Sequence, residues 1–147
     1  MKYIFQVEIN ASRRQVIELF DNSDNLPEWQ DGFVNFEHLS GPFNELGAKN
    51  RLKYIANGMP ITITETVTTK NLPDEHSGLY DSKLMTTIMT NQFEEIAANK
   101  TRYTAILEIT KLKGMMVKMM AGTFTAVVEK QTERWVNQFR DFVEKSV

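Results

Sequence analysis

The periodicity of the apolar residues changes in the last third of this chain, and that change constrains the fold more than any motif does. From Gly114 to about Lys145 the apolar side chains recur at helical spacing, which predicts one long amphipathic helix. Between about Phe33 and Lys111 they alternate with a period of two, which predicts antiparallel strands. One long helix after a run of strands indicates a sheet wrapped around a helix, a shape that often leaves a cavity.

The predicted elements follow from this periodicity and from turn residues. Two short helices should follow the first strand. Asn10 or Ser12 can cap the first of them, and Pro27 suits the first turn of the second. Asn57 and Gly58 predict a tight hairpin, because both tolerate a positive φ. We predict seven strands, at residues 2–9, 33–39, 48–56, 60–70, 78–84, 86–96 and 102–111. The buried stripe of the last helix should comprise Met120, Phe124, Val127, Val128, Trp135, Phe139, Phe142 and Val143.

Composition limits the class of protein. The 147 residues fit one domain spanning residues 1–147, and the sequence shows no repeat or linker. A net charge of −2 argues against a nucleic-acid partner. The absence of cysteine excludes disulfides and thiolate chemistry. No signal peptide or membrane span is recognisable, so we expect a cytoplasmic protein without stable membrane insertion.

The order β-α-α-β×6-α is the helix-grip arrangement, an α+β fold, and three stretches resemble the START-like (SRPBCC) superfamily. They are INASRRQVIELFDNSDNLPEWQDGF, GAKNRLKYIANGMPITITETVT and NKTRYTAILEIT. Ala11, Val16, Pro27 and Trp29 match the opening of that superfamily. It includes birch-pollen allergens, polyketide cyclase/dehydrase-like proteins, lipid-transfer START domains and coenzyme Q-binding proteins. The resemblance implies a seven-stranded curved antiparallel sheet around the last helix, with an elongated cavity for lipids, sterols, polyketides or aromatic metabolites between them. A minority of members catalyse cyclisation, dehydration or hydrolysis.

Glu65 is the most unusual residue of the predicted strands. It shares strand parity with Ile61, Ile63 and Val67, which places a carboxylate on an apolar face. Desolvation can turn such a group into a general acid or base, so Glu65 is the candidate catalytic residue. A partly wet face, or an ion pair with Arg51 or Lys53, is the alternative explanation.

Methionines and aromatic residues supply the other candidates for ligand binding. Methionine adapts to irregular apolar ligands, and four methionines crowd the start of the last helix. Not all of them can face inward, so some should lie at a pocket entrance or on a partner surface. Each aromatic candidate can equally be simple core. The candidate ligand-binding residues are Trp29, Tyr54, Glu65, Phe93, Tyr103, Met119, Met120 and Phe124.

The alternation in residues 86–96 does not decide which side chains of this strand point inward. Either Ile88, Thr90 and Gln92 or Met89, Asn91 and Phe93 can form the inward set. His76 should lie solvated in the polar loop before the fifth strand, and His38 should be structural. Neither histidine belongs to a cluster with metal-ligand spacing, so we expect no metal and no cofactor.

Three functions are compatible with these residues. The first is binding, with transport as an extension, of a hydrophobic or amphipathic small molecule in an internal cavity. The second is a polyketide cyclase/dehydrase-type enzyme with Glu65 as acid or base and Tyr54 or Tyr103 orienting a carbonyl. The third is a protein-interaction module resembling the Hsp90 ATPase activators, with the segment Met115–Met120 exposed.

Overall fold

The computed structural model describes residues 1–147, which form seven strands and four helices. A single 3-10 turn at Ser23–Asn25 separates the first two helices. The strands are β1 (Lys2–Ile9), β2 (Phe33–Ser40), β3 (Lys49–Ala56), β4 (Met59–Asn71), β5 (Glu75–Asp81), β6 (Met85–Ala97) and β7 (Lys100–Leu112). The helices are α1 (Arg13–Phe20), α2 (Leu26–Trp29), α3 (Met115–Met119) and α4 (Ala121–Ser146).

All strands belong to one antiparallel sheet in the order β1-β7-β6-β5-β4-β3-β2. β1 and β2 are therefore the two edges of an open sheet. Register shifts interrupt the pairs β2–β3, β4–β5 and β6–β7, for example between Val67 and Thr69 where β4 meets β5. Such irregularities increase twist and bend a sheet, and this sheet curves around α4. The α+β helix-grip prediction is confirmed.

The second half of α4 carries the main core contact. Phe139 and Val143 are completely buried, and Val136 is nearly so. They join one apolar cluster with inward residues of β1 and β7, such as Phe5 and Leu107. The backbone of α4 runs close to β1, β7, α1 and α2. The helix is thereby anchored at one side of the concave face.

Local chemistry explains the two helices after β1. The Ser12 hydroxyl accepts the backbone N–H of Gln15, and the Gln15 side chain accepts the backbone N–H of Ser12, which is a complete capping box. Pro27 occupies the first turn of α2, where its missing N–H is harmless. Ser12, rather than Asn10, is therefore the cap of α1.

The predicted C-terminal helix is divided. α3 ends at Met119, and α4 starts after Met120, so residues 114–145 do not form one continuous helix. The predicted buried stripe is wrong at Met120 and Val127, which are 55% and 50% exposed. Thr125 and Thr132 are buried instead, because their hydroxyls donate to the carbonyls of Ala121 and Val128, one turn earlier. No helix of the structure has the length and apolar character that crossing a membrane requires.

The fifth strand starts earlier than its composition suggests. β5 covers Glu75–Asp81 rather than 78–84, because β4 and β6 extend far enough to pair with Glu75, His76 and Ser77. The solvated loop position expected for His76 is therefore wrong. Its side chain is only 9% exposed. The predicted turn is present, with positive φ at Asn57 and Gly58.

Two valines of α4 provide a matched test of this packing. Val143→Ala should lower the free energy of unfolding by about 2 kcal/mol, because it removes two methyl groups from a closed core. Val127→Ala should change it by less than about 0.5 kcal/mol, since that side chain is already half in water. Urea denaturation monitored by circular dichroism measures both values. Equal losses in the two variants would contradict the assigned face of α4.

Candidate functional site

Glu65 lies on the concave face of β4 and is held there by neutral hydrogen-bond donors. Asn50 Nδ2 donates to Glu65 Oε1 at 2.9 Å, and Tyr80 Oη donates to Glu65 Oε2 at 2.7 Å. The expected alternative of an ion pair with Arg51 or Lys53 does not occur, because Arg51 pairs with Glu37 and no salt bridge reaches Glu65. Each carboxylate oxygen retains an accepting site, since each can take two hydrogen bonds. Glu65 can therefore still accept a donor from a ligand.

Tyr80 reaches Glu65 because residue 78 is a glycine. A Cβ on Gly78 would lie 2.9 Å from the Tyr80 ring, which is closer than carbon atoms tolerate. The ring thus folds back along β5 across the space that a side chain would occupy. The strand register places Tyr80 directly opposite Glu65. Gly78 is consequently a positioning element of the site.

Three tyrosines with raised pKa values surround the interior. Burial, the negative charge of Glu65 and the hydrogen bond to it raise the pKa of Tyr80 well above its ordinary value. Burial, followed by repulsion from Glu65, raises the pKa of Tyr54 strongly. Burial alone raises the pKa of Tyr103. All three phenols therefore stay protonated at neutral pH.

Tyr54 and Tyr103 already have hydrogen-bond partners. Tyr54 Oη donates to Gln30 Oε1 at 2.7 Å, and Tyr103 Oη donates to Asn91 Oδ1 at 2.6 Å. The Tyr54 ring also stacks on Trp135 of α4, with ring centroids 5.3 Å apart. Tyr80, which no sequence pattern singled out, is the tyrosine that touches Glu65.

One end of the interior is filled by aromatic rings. Phe20 is at the centre, and Trp29, His76, Phe93, Tyr103 and Phe139 surround it with ring centroids 5.0–6.4 Å away. Phe93 and Tyr103 stack on each other at 5.1 Å. Two polar atoms in this cluster, Trp29 Nε1 and His76 Nδ1, are buried without a partner. The candidates Trp29, Phe93 and Tyr103 thus pack against neighbouring core rings, and their contact with a ligand stays a prediction.

The concave face is more accessible toward β4 and β5. Phe5 and Ile9 of β1 are buried, whereas Ile63, Glu65 and Tyr80 are only half-buried although they point inward. Asn91 and Phe93 are buried, so Met89, Asn91 and Phe93 form the inward set of β6. Accessible surface therefore remains on the inner face around Glu65.

The methionine candidates lie outside that surface. Met119 is 79% exposed and Met120 55% exposed, and Phe124 is half-buried near the start of α4. Met119 lines a shallow surface depression with Gly114, Met115 and Lys118. A second depression lies between α1 and the β4–β5 turn. Neither depression includes Glu65, so a role for Met119 and Met120 in ligand binding stays a prediction.

Asn50 is the residue of the site that sequence reasoning missed most clearly. It shares strand parity with Leu52 and Tyr54 and is only 3% exposed. A polar residue at apolar parity is the same signal that identified Glu65. Asn50 also lies directly opposite Glu65 in the β3–β4 register. Applying that signal to every strand would have found the pair.

His76 is a buried titratable group beside the site. Burial lowers its pKa, an effect that the charges of Glu65 and Asp21 partly oppose and that of Lys70 reinforces. The folded protein therefore holds His76 neutral, while the unfolded chain takes up a proton below its ordinary pKa of about 6.5. The contribution of His76 to stability is present above that pH and is lost as the pH falls through the folded-state pKa.

Replacing His76 should make stability less sensitive to acid. Between about pH 7.5 and 5.5, the free energy of unfolding of the wild type should fall more than that of His76→Phe. Urea denaturation at both pH values measures the difference, and the carboxylates common to both proteins cancel. A wild-type-minus-variant difference that is the same at both pH values would contradict a buried neutral His76.

Comparison with known proteins places this geometry among solved structures. No protein-family model and no curated protein matches the sequence. The Zhui aromatase/cyclase of a Streptomyces species superimposes with a TM-score of 0.83 at 13% identity, over 99% of this chain and 94% of that one. A protein of Thermus thermophilus superimposes with a TM-score of 0.82 at 12% identity, over 99% of each chain. The major latex-like protein 151 of Panax ginseng superimposes with a TM-score of 0.69 at 12% identity, over 99% of this chain and 96% of that one. No cluster of three His, Asp or Glu side chains is arranged to hold a metal. At these identities the superpositions show the fold, and the chain shares the helix-grip fold of these solved structures.

Proposed function

We propose that this protein binds an amphipathic small molecule between the concave face and α4, with a hydrogen-bond donor of the ligand on Glu65. The observation that carries the proposal is the inward carboxylate of Glu65. Asn50 and Tyr80 donate hydrogen bonds to it, and no lysine or arginine contacts it. An anion of this kind, on a half-buried surface, favours a ligand that offers a hydroxyl or another donor. A phenol or an enol is the simplest such group.

The surroundings of Glu65 support an apolar body for the ligand. Ile61, Ile63 and Met89 present half-buried apolar surface at the same strand parity. Burying such surface contributes about 25 cal/mol per Å², while one or two polar contacts set the orientation of the ligand. The shared fold adds support, because one structural neighbour is an aromatase/cyclase and another is a latex-like protein.

A pair of naphthalene derivatives tests the polar contact directly. 2-Naphthol carries one hydroxyl donor, and 2-methoxynaphthalene has a similar shape but no donor. Calorimetric titration should show that Glu65→Gln weakens 2-naphthol binding about tenfold, because a charged hydrogen bond is lost, and leaves 2-methoxynaphthalene binding unchanged. Glu37→Gln is the matched control, since Glu37 is an exposed carboxylate paired with Arg51.

Several outcomes would oppose the proposal. If neither probe binds the wild type, the concave face does not act as an apolar site for bicyclic ligands. If Glu37→Gln weakens 2-naphthol as much as Glu65→Gln, the effect comes from overall charge. Native mass spectrometry of protein purified from its own host, followed by extraction, would then identify any natural ligand.

A second candidate function is acid–base catalysis of the polyketide cyclase/dehydrase type. It is favoured by the contact of Tyr80 with Glu65, which places a phenol and a carboxylate within 2.7 Å on the concave face. A carboxylate in that position can remove a proton next to a carbonyl, and a phenol can donate to the carbonyl oxygen. In this assignment Tyr80 orients the substrate carbonyl, the role predicted from the sequence for Tyr54 or Tyr103.

Catalysis and simple binding make different predictions for one variant. If Glu65 is a catalytic base, Glu65→Gln should abolish turnover of a linear poly-β-ketone while changing its affinity little. Product analysis by liquid chromatography and mass spectrometry gives turnover, and calorimetry gives affinity. Equal turnover in wild type and variant excludes the catalytic part and leaves binding as the function.

A further inference from the structure

A polar chain connects the protein surface to Glu65, and it starts at His38. His38 Nε2 lies 2.9 Å from the carbonyl oxygen of Gly41, and His38 Nδ1 lies 3.0 Å from Asn50 Oδ1. The amide of Asn50 then donates from Nδ2 to Glu65 Oε1 at 2.9 Å. His38 is exposed, Asn50 is buried and Glu65 is half-buried. Three side chains from β2, β3 and β4 thus lead from solvent to the concave face.

The hydrogen-bond pattern restricts the protonation of this chain. Both ring nitrogens of His38 face oxygen atoms that act as acceptors, and a neutral imidazole has only one N–H to offer. The doubly protonated ring satisfies both oxygens. Turning the Asn50 amide around would let a neutral His38 accept from it, but it would also place the Asn50 oxygen against a Glu65 oxygen. That arrangement requires a proton on Glu65.

Two states are therefore consistent with the contacts, and they carry the same number of protons. In the observed amide orientation, His38 is a cation and Glu65 is an anion that can accept from a ligand. In the reversed orientation, His38 is neutral and Glu65 is a carboxylic acid that can donate. The orientation of Asn50 thus decides whether the site presents an acceptor or a donor.

The charged groups around His38 leave Glu65 as its counter-charge. On β2, Glu37 points to the opposite face and pairs with Arg51 of β3 at 2.6 Å. Lys49 of β3 is exposed and lies opposite Ser40. The ring of Phe43 packs edge-on to His38, with centroids 5.4 Å apart. No salt bridge joins a carboxylate to His38, so its link to an anion runs through Asn50.

We infer that His38 is the positioning residue that fixes the orientation of the Asn50 amide and thereby turns the Glu65 carboxylate toward ligands that donate a hydrogen bond. The preference for donor ligands rests on the proposed function. The protonation state of His38 does not, and it can be measured without any ligand. The two parts of the inference can therefore fail separately.

Nitrogen NMR tests the charge of His38 in the free protein. Long-range ¹H–¹⁵N spectra at about pH 7.5 should show both ring nitrogens of His38 in the protonated form. In Glu65→Gln the ring should become neutral with its proton on Nε2, because the introduced amide can donate to a reversed Asn50 side chain. Glu37→Gln removes a charge of the same sign one residue away and should leave the ring protonated. A neutral His38 in the wild type, or equal effects of the two variants, would overturn the inference.

The naphthalene pair tests the consequence for ligands. His38→Gln keeps a donor toward Asn50 but removes the charge, and Asn50→Leu interrupts the chain. Both should weaken 2-naphthol about fivefold or more relative to wild type and leave 2-methoxynaphthalene within about twofold. Unchanged 2-naphthol affinity in folded His38→Gln would show that His38 does not act on the site. If the wild type binds neither probe, the proposed function fails while the NMR result still decides the charge of His38.

Discussion

The packing of the second half of α4 against β1 and β7 determines the rest of the molecule. Phe139 and Val143 are closed off from water there, together with inward residues of the two strands. Because one rigid helix cannot contact every part of a curved seven-stranded sheet, closure on this side leaves the inner face of β4 and β5 only half covered. The accessible surface around Glu65 is the consequence of that asymmetry.

Polar residues on the half-covered face are organised by strand register. Asn50, Glu65 and Tyr80 are neighbours across three strands, and each occupies the concave side of its own strand. A carboxylate with neutral donors and no contacting cation is costly in a packed core, since its charge lacks compensation. It is tolerated here because the face keeps contact with water and because the hydrogen-bonded chain continues to His38.

The sequence predicted the elements well where periodicity was regular. The seven strands and the two helices after β1 are all present, and only β5 is displaced by several residues. The error at β5 has a physical cause, because the polar residues Glu75 to Ser77 pair with long neighbouring strands that supply backbone partners regardless of composition. Likewise, threonine hydroxyls that bond to the preceding turn let α4 bury Thr125 and Thr132, which hydropathy alone assigns to solvent.

For the candidate site, sequence and tertiary structure contributed different information. Strand parity by itself determined that Glu65 faces inward with apolar neighbours, because side chains alternate in every extended strand. Only the tertiary structure decided what Glu65 touches. Its partners come from strands 15 residues away in either direction, and their contact depends on cross-strand register and on the absence of a side chain at Gly78. The link to His38 has the same origin, since no local pattern specifies which residues face each other across a sheet.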